Sequence, residues 1–394
     1  MPSWQDTADT KLSQTSNYIE AFPQFQLRDC LRKDQGTLSG FSGLYSSGRA
    51  AIYWALKRLR LPSGAAVWIP AFHCGVEVDA AIAAGARVHF YRITEQLSID
   101  FEELRCGLQL ERGPVLAIHY FGFPQPDMER LVFVCREAGV PLIEDCAHSL
   151  FSCRATTPLG SFGVLSVFSF PKSLSVVEGG ALRDNSKADA PEEDLRPSIT
   201  PYKVYAKTWV RLLAPDLLVR WYRGRSQPEA DYLEDFAISE FPFYYYDQPS
   251  LLTTRIVATQ LASQIVRRRR ANWNLLHTQL SQSEYYSPVF SCLPEGVCPL
   301  VLPIWVSGRR ELEDSLKQRG IGSFVFGRLP HRLLSVFQRA KCRKLRDHIL
   351  GLPIHQQLDP MDIHRIAGEA VSLLSKYAFS TFSGVTASEA GNPN

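Results

Sequence analysis

Three short segments hold residue types that belong together chemically. Ile143-Glu144-Asp145-Cys146-Ala147-His148 puts an acid and a histidine at the end of an apolar run. Ser169-Phe170-Pro171-Lys172, followed by Glu178-Gly179-Gly180, does the same with a serine and a lysine. Ser47-Gly48-Arg49 stands just before a helical pattern. A lysine amine can form a Schiff base with a carbonyl and then shuttle a proton between two carbons. A carboxylate can keep a pyridine nitrogen protonated, so that the ring accepts electrons. A helix N-terminus with a close-approaching glycine can bind a phosphate dianion through backbone N–H groups. One of each is what a pyridoxal 5′-phosphate (PLP) site requires. Taken singly, each has a plainer reading. Asp145 could cap or pair, Lys172 could lie on the surface, and Ser47 could be only an N-cap.

The elements that must position them are legible as alternating patterns. Arg49–Leu61 has helical spacing, with Ile52, Leu56 and Leu59 on one face. A strand-like run ends at Pro70, a helix is stopped by Gly85, and residues 86–93 read as a strand. Residues 114–122 read as a strand, 128–139 as a helix closed by Gly139, and 140–146 and 164–170 as two further apolar strands. Strands alternating with helices predict an α/β domain with a mainly parallel sheet. Ligands of such sheets sit beyond the carboxyl ends of the strands. That places the chemistry at Pro70–Cys74, His119–Gly122, Asp145–His148 and Ser169–Lys172.

Residues 1–40 read as a loose arm. Residues 41–250 read as the large domain, with an insert over about 186–250 that opens on an acidic loop. From about Thr253 a long helix carries Arg267, Arg268, Arg269 and Arg270. Residues 251–380 join that helix to a smaller C-terminal α/β domain, with strands at 300–306 and 351–355 and helices at 309–320 and 361–379. Residues 381–394 read as a disordered tail.

Bulk properties exclude several classes. The 394 residues carry a net charge of +3, too small to argue for nucleic acid. The nine cysteines form no CxxC pair and no zinc-ligand spacing, which fits reduced, mostly buried thiols and no metal. The polar start lacks the apolar core of a signal peptide, and no apolar stretch is long enough to span a membrane, so a cytoplasmic protein is expected.

Taken together, the motifs resemble the DegT/DnrJ/StrS aminotransferases, PLP enzymes of fold type I that mostly aminate keto-sugars attached to nucleotides. The resemblance covers roughly residues 40–185 well and 295–375 moderately. The family's SGxxA turn matches Ser47-Gly48-Arg49-Ala50-Ala51, and its IEDxAH/Q motif matches Ile143 to His148. The VPxxxxxxxxAIxxAG stretch matches Ile69-Pro70 through Ala81-Ile82 and Gly85, and HxxG-x-P matches His119, Gly122 and Pro124. SFxxK and EGG match Ser169 to Lys172 and Glu178 to Gly180, and LPxHxxLsxxdI matches residues 352–363.

The resemblance implies Lys172 as the Schiff-base lysine and Asp145 as the partner of the pyridine nitrogen. It implies His148 against the ring, and Ser47, Gly48, Arg49 and Ser169 around the phosphate. It also implies a homodimer. The family's usual ring-stacking aromatic is replaced here by Cys74, with His73 beside it. The family's GxNxR segment is absent, and Tyr244–Arg255 stands in its region.

Other features have competing readings. The Arg267–Arg270 run reads as a partly solvated helix face. Residues 203–225 could form an amphipathic helix at a membrane interface, although a helical insert packed on the body is favoured. His331 and His355 read as structural or substrate-side histidines. The expected reaction moves an amino group from an amino acid, glutamate first, to a keto-sugar or related carbonyl acceptor. The alternatives are a PLP-dependent dehydratase, lyase or cyclase, and a non-catalytic scaffold.

Overall fold

The computed structural model describes residues 18–25, 33–186, 193–197, 245–328 and 330–377. The helix expected within 203–225, most of the acidic loop and the tail at 381–394 lie outside them.

The N-terminal half alternates as the patterns predict. β1 (Gly43–Tyr45) leads into α1 (Gly48–Arg58), β2 (Ala66–Pro70), α2 (Val76–Ala83) and β3 (Arg87–Tyr91). Then come α3 (Phe101–Leu110), β4 (Val115–Ile118), α4 (Met128–Ala138), β5 (Leu142–Asp145), β6 (Leu165–Ser169), α5 (Phe170–Ser173) and β7 (Gly180–Asp184). Helix starts and stops follow local chemistry. Ser47 caps α1 by accepting from the Ala50 N–H at 3.2 Å, Asp100 caps α3, and Gly139 closes α4 in the left-handed conformation.

Seven strands form one sheet in the order β1-β7-β6-β5-β4-β2-β3. β2 to β6 run parallel, while β7 and β1 add antiparallel pairs at one edge. Every residue of β2, β4 and β5 is buried, as strands covered on both faces require. The register decides where the chemistry sits. Ile118 pairs with Asp145, Asp145 with Val167, Ser169 with Gly180, and Gly180 with Tyr45. The ends of β4, β5, β6 and β1 and the start of β7 therefore meet at one edge, with α1 starting beside them.

The C-terminal half contains α6 (Leu251–Ala258), α7 (Ala262–Leu280), β8 (Val301–Trp305), α8 (Arg309–Gln318), α9 (Val336–His348), β9 (Ile349–Pro353) and α10 (Pro360–Leu374). β8 and β9 pair antiparallel, and a second apolar cluster gathers Trp273, Leu276, Leu302, Leu316, Leu352 and Ile366 around them. One expectation is corrected. The long helix from Thr253 is two helices, broken at Thr259–Leu261. The Thr259 hydroxyl donates to the Ile256 carbonyl at 2.7 Å, the Gln260 side chain donates to the same oxygen, and Leu261 leaves helical dihedrals.

Among the described residues all eight cysteines are free: four are buried, two half-buried and two exposed. No helix among them is long and apolar enough to cross a membrane.

Gly180 is where sheet and helix meet. A Cβ there would lie 2.6 Å from the Gly48 nitrogen and closer still to the Ser47 carbonyl. Gly180→Ala is expected to cost on the order of 1–3 kcal/mol, read as a lowered melting temperature with weakened PLP uptake.

Candidate active site

Lys172 lies in α5, the helical turn that starts where β6 ends. Its Nζ stands 4.9 Å from the centre of the Phe324 ring and 5.8 Å from that of Phe22. It shares Phe324 with His148, whose ring lies 5.5 Å from that of Phe324, and its charge is felt at Asp145 and Cys74. Asp145 is almost fully buried at the end of β5 and accepts from the Ala147 N–H at 2.9 Å. Burial, with the charge of Glu77 added, pushes its pKa up to about 7, against the pull of Ala147 and Lys172.

His148 is buried, and its Nδ1 accepts from the Phe121 N–H at 3.2 Å. Nε2 therefore carries the proton. Burial first, then Lys172, keeps the imidazole neutral by pushing its pKa well down. Its ring is nearly parallel to Phe121 and meets Phe324 and Phe326 edge-on.

The helix start expected to bind phosphate adjoins this group. A Cβ on Gly48 would lie 3.1 Å from the Cβ of Ser169, a tight contact, so the first turn of α1 comes close to the lysine turn. The Ser47 hydroxyl is engaged as the cap, and Arg49 follows in the first turn.

Of the two candidates after β2, only Cys74 joins the group. Its thiol donates to Glu77, with both carboxylate oxygens at 3.2 Å, and burial followed by Glu77 pushes its pKa far up. His73 packs instead on Phe90 at 5.3 Å and on His331 at 6.2 Å. It is wholly covered by protein. His355 is also buried, with its carbonyl held by Asn272, and burial followed by Arg269 pushes its pKa down to about 3.

Two functional neighbours escaped the sequence reading. Glu77, in the first turn of α2, is buried, and its charge acts on Asp145. Arg269 was grouped with a solvated arginine run. Arg267 and Arg268 are indeed exposed, and Arg270 is half-buried, donating to the carbonyls of Pro294 and Val297. Arg269 is buried. It donates to the carbonyls of Ser173 at 3.1 Å, Lys172 at 3.5 Å, Leu300 at 3.2 Å and Pro299 at 3.3 Å, and to Gln356 at 2.9 Å. Spacing held the clue: Arg269 falls four residues after Ile265 and four before Trp273, on the buried stripe of α7.

Behind the strand ends, Glu144 accepts from His119 Nε2 and from the N–H groups of Gly160, Phe162 and Gly163. Burial alone would push its pKa up, but these donors outweigh it and hold it low. His119, Glu144 and Cys146 bring ligand-type atoms within 4.8 Å of one another. Both Glu144 oxygens and both His119 nitrogens are already hydrogen-bonded, so this is a structural prop.

The residues fit PLP. A buried carboxylate with a raised pKa favours a cation placed beside it, which a protonated pyridine supplies. A lysine, a neutral flat imidazole and a glycine-started helix surround the same point.

Comparison with known proteins agrees. Residues 41–194 match the family model for DegT/DnrJ/EryC1/StrS aminotransferases. A GDP-perosamine synthase of Vibrio cholerae is 31% identical over 144 residues, which span 36% of this chain and 39% of that one. A UDP-4-amino-4,6-dideoxy-N-acetyl-beta-L-altrosamine transaminase of Campylobacter jejuni is 23% identical over 313 residues, 76% of each chain. The Streptococcus pneumoniae protein Spr1654 in its PLP form shares the fold, with a TM-score of 0.63, 16% identity, and coverage of 95% of this chain and 97% of that one. The fold, and the family model matched over residues 41–194, are those expected from the sequence.

Asp145 links the site to stability. Because burial raises its pKa, the ionised form costs the folded chain above about pH 7. The cost fades as pH falls and is gone below about pH 4, where the unfolded chain is protonated as well. Without cofactor, Asp145→Asn is expected to stabilise the chain at pH 8 by an amount on the order of a few kcal/mol. Calorimetry should show the gap closing by pH 4.

Proposed function

We propose that this protein is a PLP-dependent aminotransferase. It would take nitrogen from an amino acid, glutamate first, and deliver it to the carbonyl of a keto-sugar carried on a nucleotide. The observation that carries this reading is the meeting of Lys172, Asp145 and His148 beside the start of α1. The sugar-nucleotide class rests on the relatives named above and on the motifs of residues 41–194.

When bound, PLP supplies an electron sink for cleaving a bond at the substrate's amine-bearing carbon. The remaining tasks fall to the protein. Asp145 would answer the pyridine nitrogen, since a cation beside it favours its ionised form. Neutral His148 presents a flat face and an Nε2–H donor. Gly48, Arg49, Ser47 and Ser169 would hold the phosphate end. The Lys172 amine would take up a proton at Nζ as general base and give it back as general acid. Arg269 and Gln356 fix the backbone of that lysine's turn from behind. We take the working unit to be a homodimer in the cytoplasm, a reading supported by the family resemblance.

With PLP, the purified chain should absorb in the visible, and borohydride should remove the band and leave a pyridoxyl group on Lys172. Lys172→Ala should lack the band and lose glutamate-dependent turnover by on the order of a thousandfold or more. A chain that takes up no PLP would refute the proposal in favour of a scaffold. Conversion of a keto-sugar nucleotide without release of 2-oxoglutarate would instead indicate dehydration or lysis.

A further inference from the structure

Residues 18–25 run along the C-terminal half and are fastened to it at three points. Ile19 donates to the Gly320 carbonyl at 2.8 Å and accepts from the Gly322 N–H at 2.6 Å. The Glu20 carbonyl accepts from His355 Nε2 at 3.1 Å. The Gln357 amide takes both backbone groups of Gln24, accepting from its N–H at 2.7 Å and donating to its carbonyl at 2.5 Å. The same Gln357 nitrogen donates to the Ser175 hydroxyl at 3.1 Å, three residues beyond Lys172. Between these fasteners stands Phe22. Its ring meets Phe324 edge-on at 5.1 Å, and both rings lie against the Lys172 amine.

Two aromatic rings beside one ammonium group act in two ways. Each attracts the ammonium through its ring face, the more so where water is excluded. Together they also restrict a long, rotamer-rich side chain. Phe324 is buried in the body of the protein, but Phe22 reaches the amine only because its segment is tied down on both sides. We propose that Tyr18–Phe25 is a strap belonging to the Lys172 site. Phe22 is a positioning residue that, with Phe324, confines the amine head and screens it from water, and Gln357 is the fastener that keeps it there. This deepens the aminotransferase reading and rests on it for what the amine does.

Competitive labelling of the full chain with acetic anhydride tests the strap without needing turnover. Any bound PLP is first removed with methoxyamine, and labelling of Lys172 is read by peptide mass against exposed Lys57. Phe22→Ala and Gln357→Ala should each raise the Lys172-to-Lys57 ratio at least about threefold, with melting unchanged. Phe22→Tyr, which keeps the ring, should stay at the wild-type ratio. Gln357→Ala touches neither the amine nor its rings, so a rise there reads the strap and not a local cavity. Wild-type ratios in both alanine variants would overturn the proposal. A rise in both, in a chain that nonetheless takes up no PLP, would sink the aminotransferase reading and leave the strap standing.

Discussion

The site depends on one close approach. Gly180 pairs with Ser169 on one side and Tyr45 on the other, and its missing side chain lets the Ser47–Gly48 peptide lie against it. Three pieces of chain far apart in sequence are thereby brought together: the start of α1, the end of β6 and the opening of β7. Gly48 repeats the device against Ser169. At Gly180 even a methyl group would force the chain apart, while at Gly48 it would press tightly on Ser169.

Around that junction the protein builds an environment that water would ruin. Asp145, Glu77 and His148 are all buried, and Cys74 donates into the Glu77 carboxylate. In such surroundings a charge is costly unless another charge answers it. A cationic ring nitrogen lowers the cost of an ionised Asp145, and neutral His148 adds no competing charge. The polar groups that need only structural support, Glu144 and His119, are instead saturated with hydrogen bonds, which keeps them out of the chemistry.

Most of the large sheet was legible because its signals are local. Apolar runs such as residues 66–70 and 142–145, closed by turn residues, are what doubly covered strands look like. The acid, the histidine and the lysine were legible because each stands at the end of such a run. What escaped depends on partners distant in sequence or on side chains turning back onto the backbone. Arg269 looks like its neighbours Arg267 and Arg268 until its backbone partners at Ser173 and Leu300 are known. The break at Thr259 turns on side chains folding back onto the Ile256 carbonyl, a choice that helical periodicity does not record. Residues 18–25 carry no repeating pattern, and their place is set by Gln357 and His355, more than three hundred residues away.

Arg269 has a consequence beyond holding a turn in place. Its hydrogen-bond partners are four backbone carbonyls and one side-chain amide, none of them an acid. Among the described residues no acid answers it, so a positive charge is held in the interior by dipoles alone, and burial draws its pKa down. Its field, little screened in a water-poor interior, reaches His355 and helps keep that imidazole neutral.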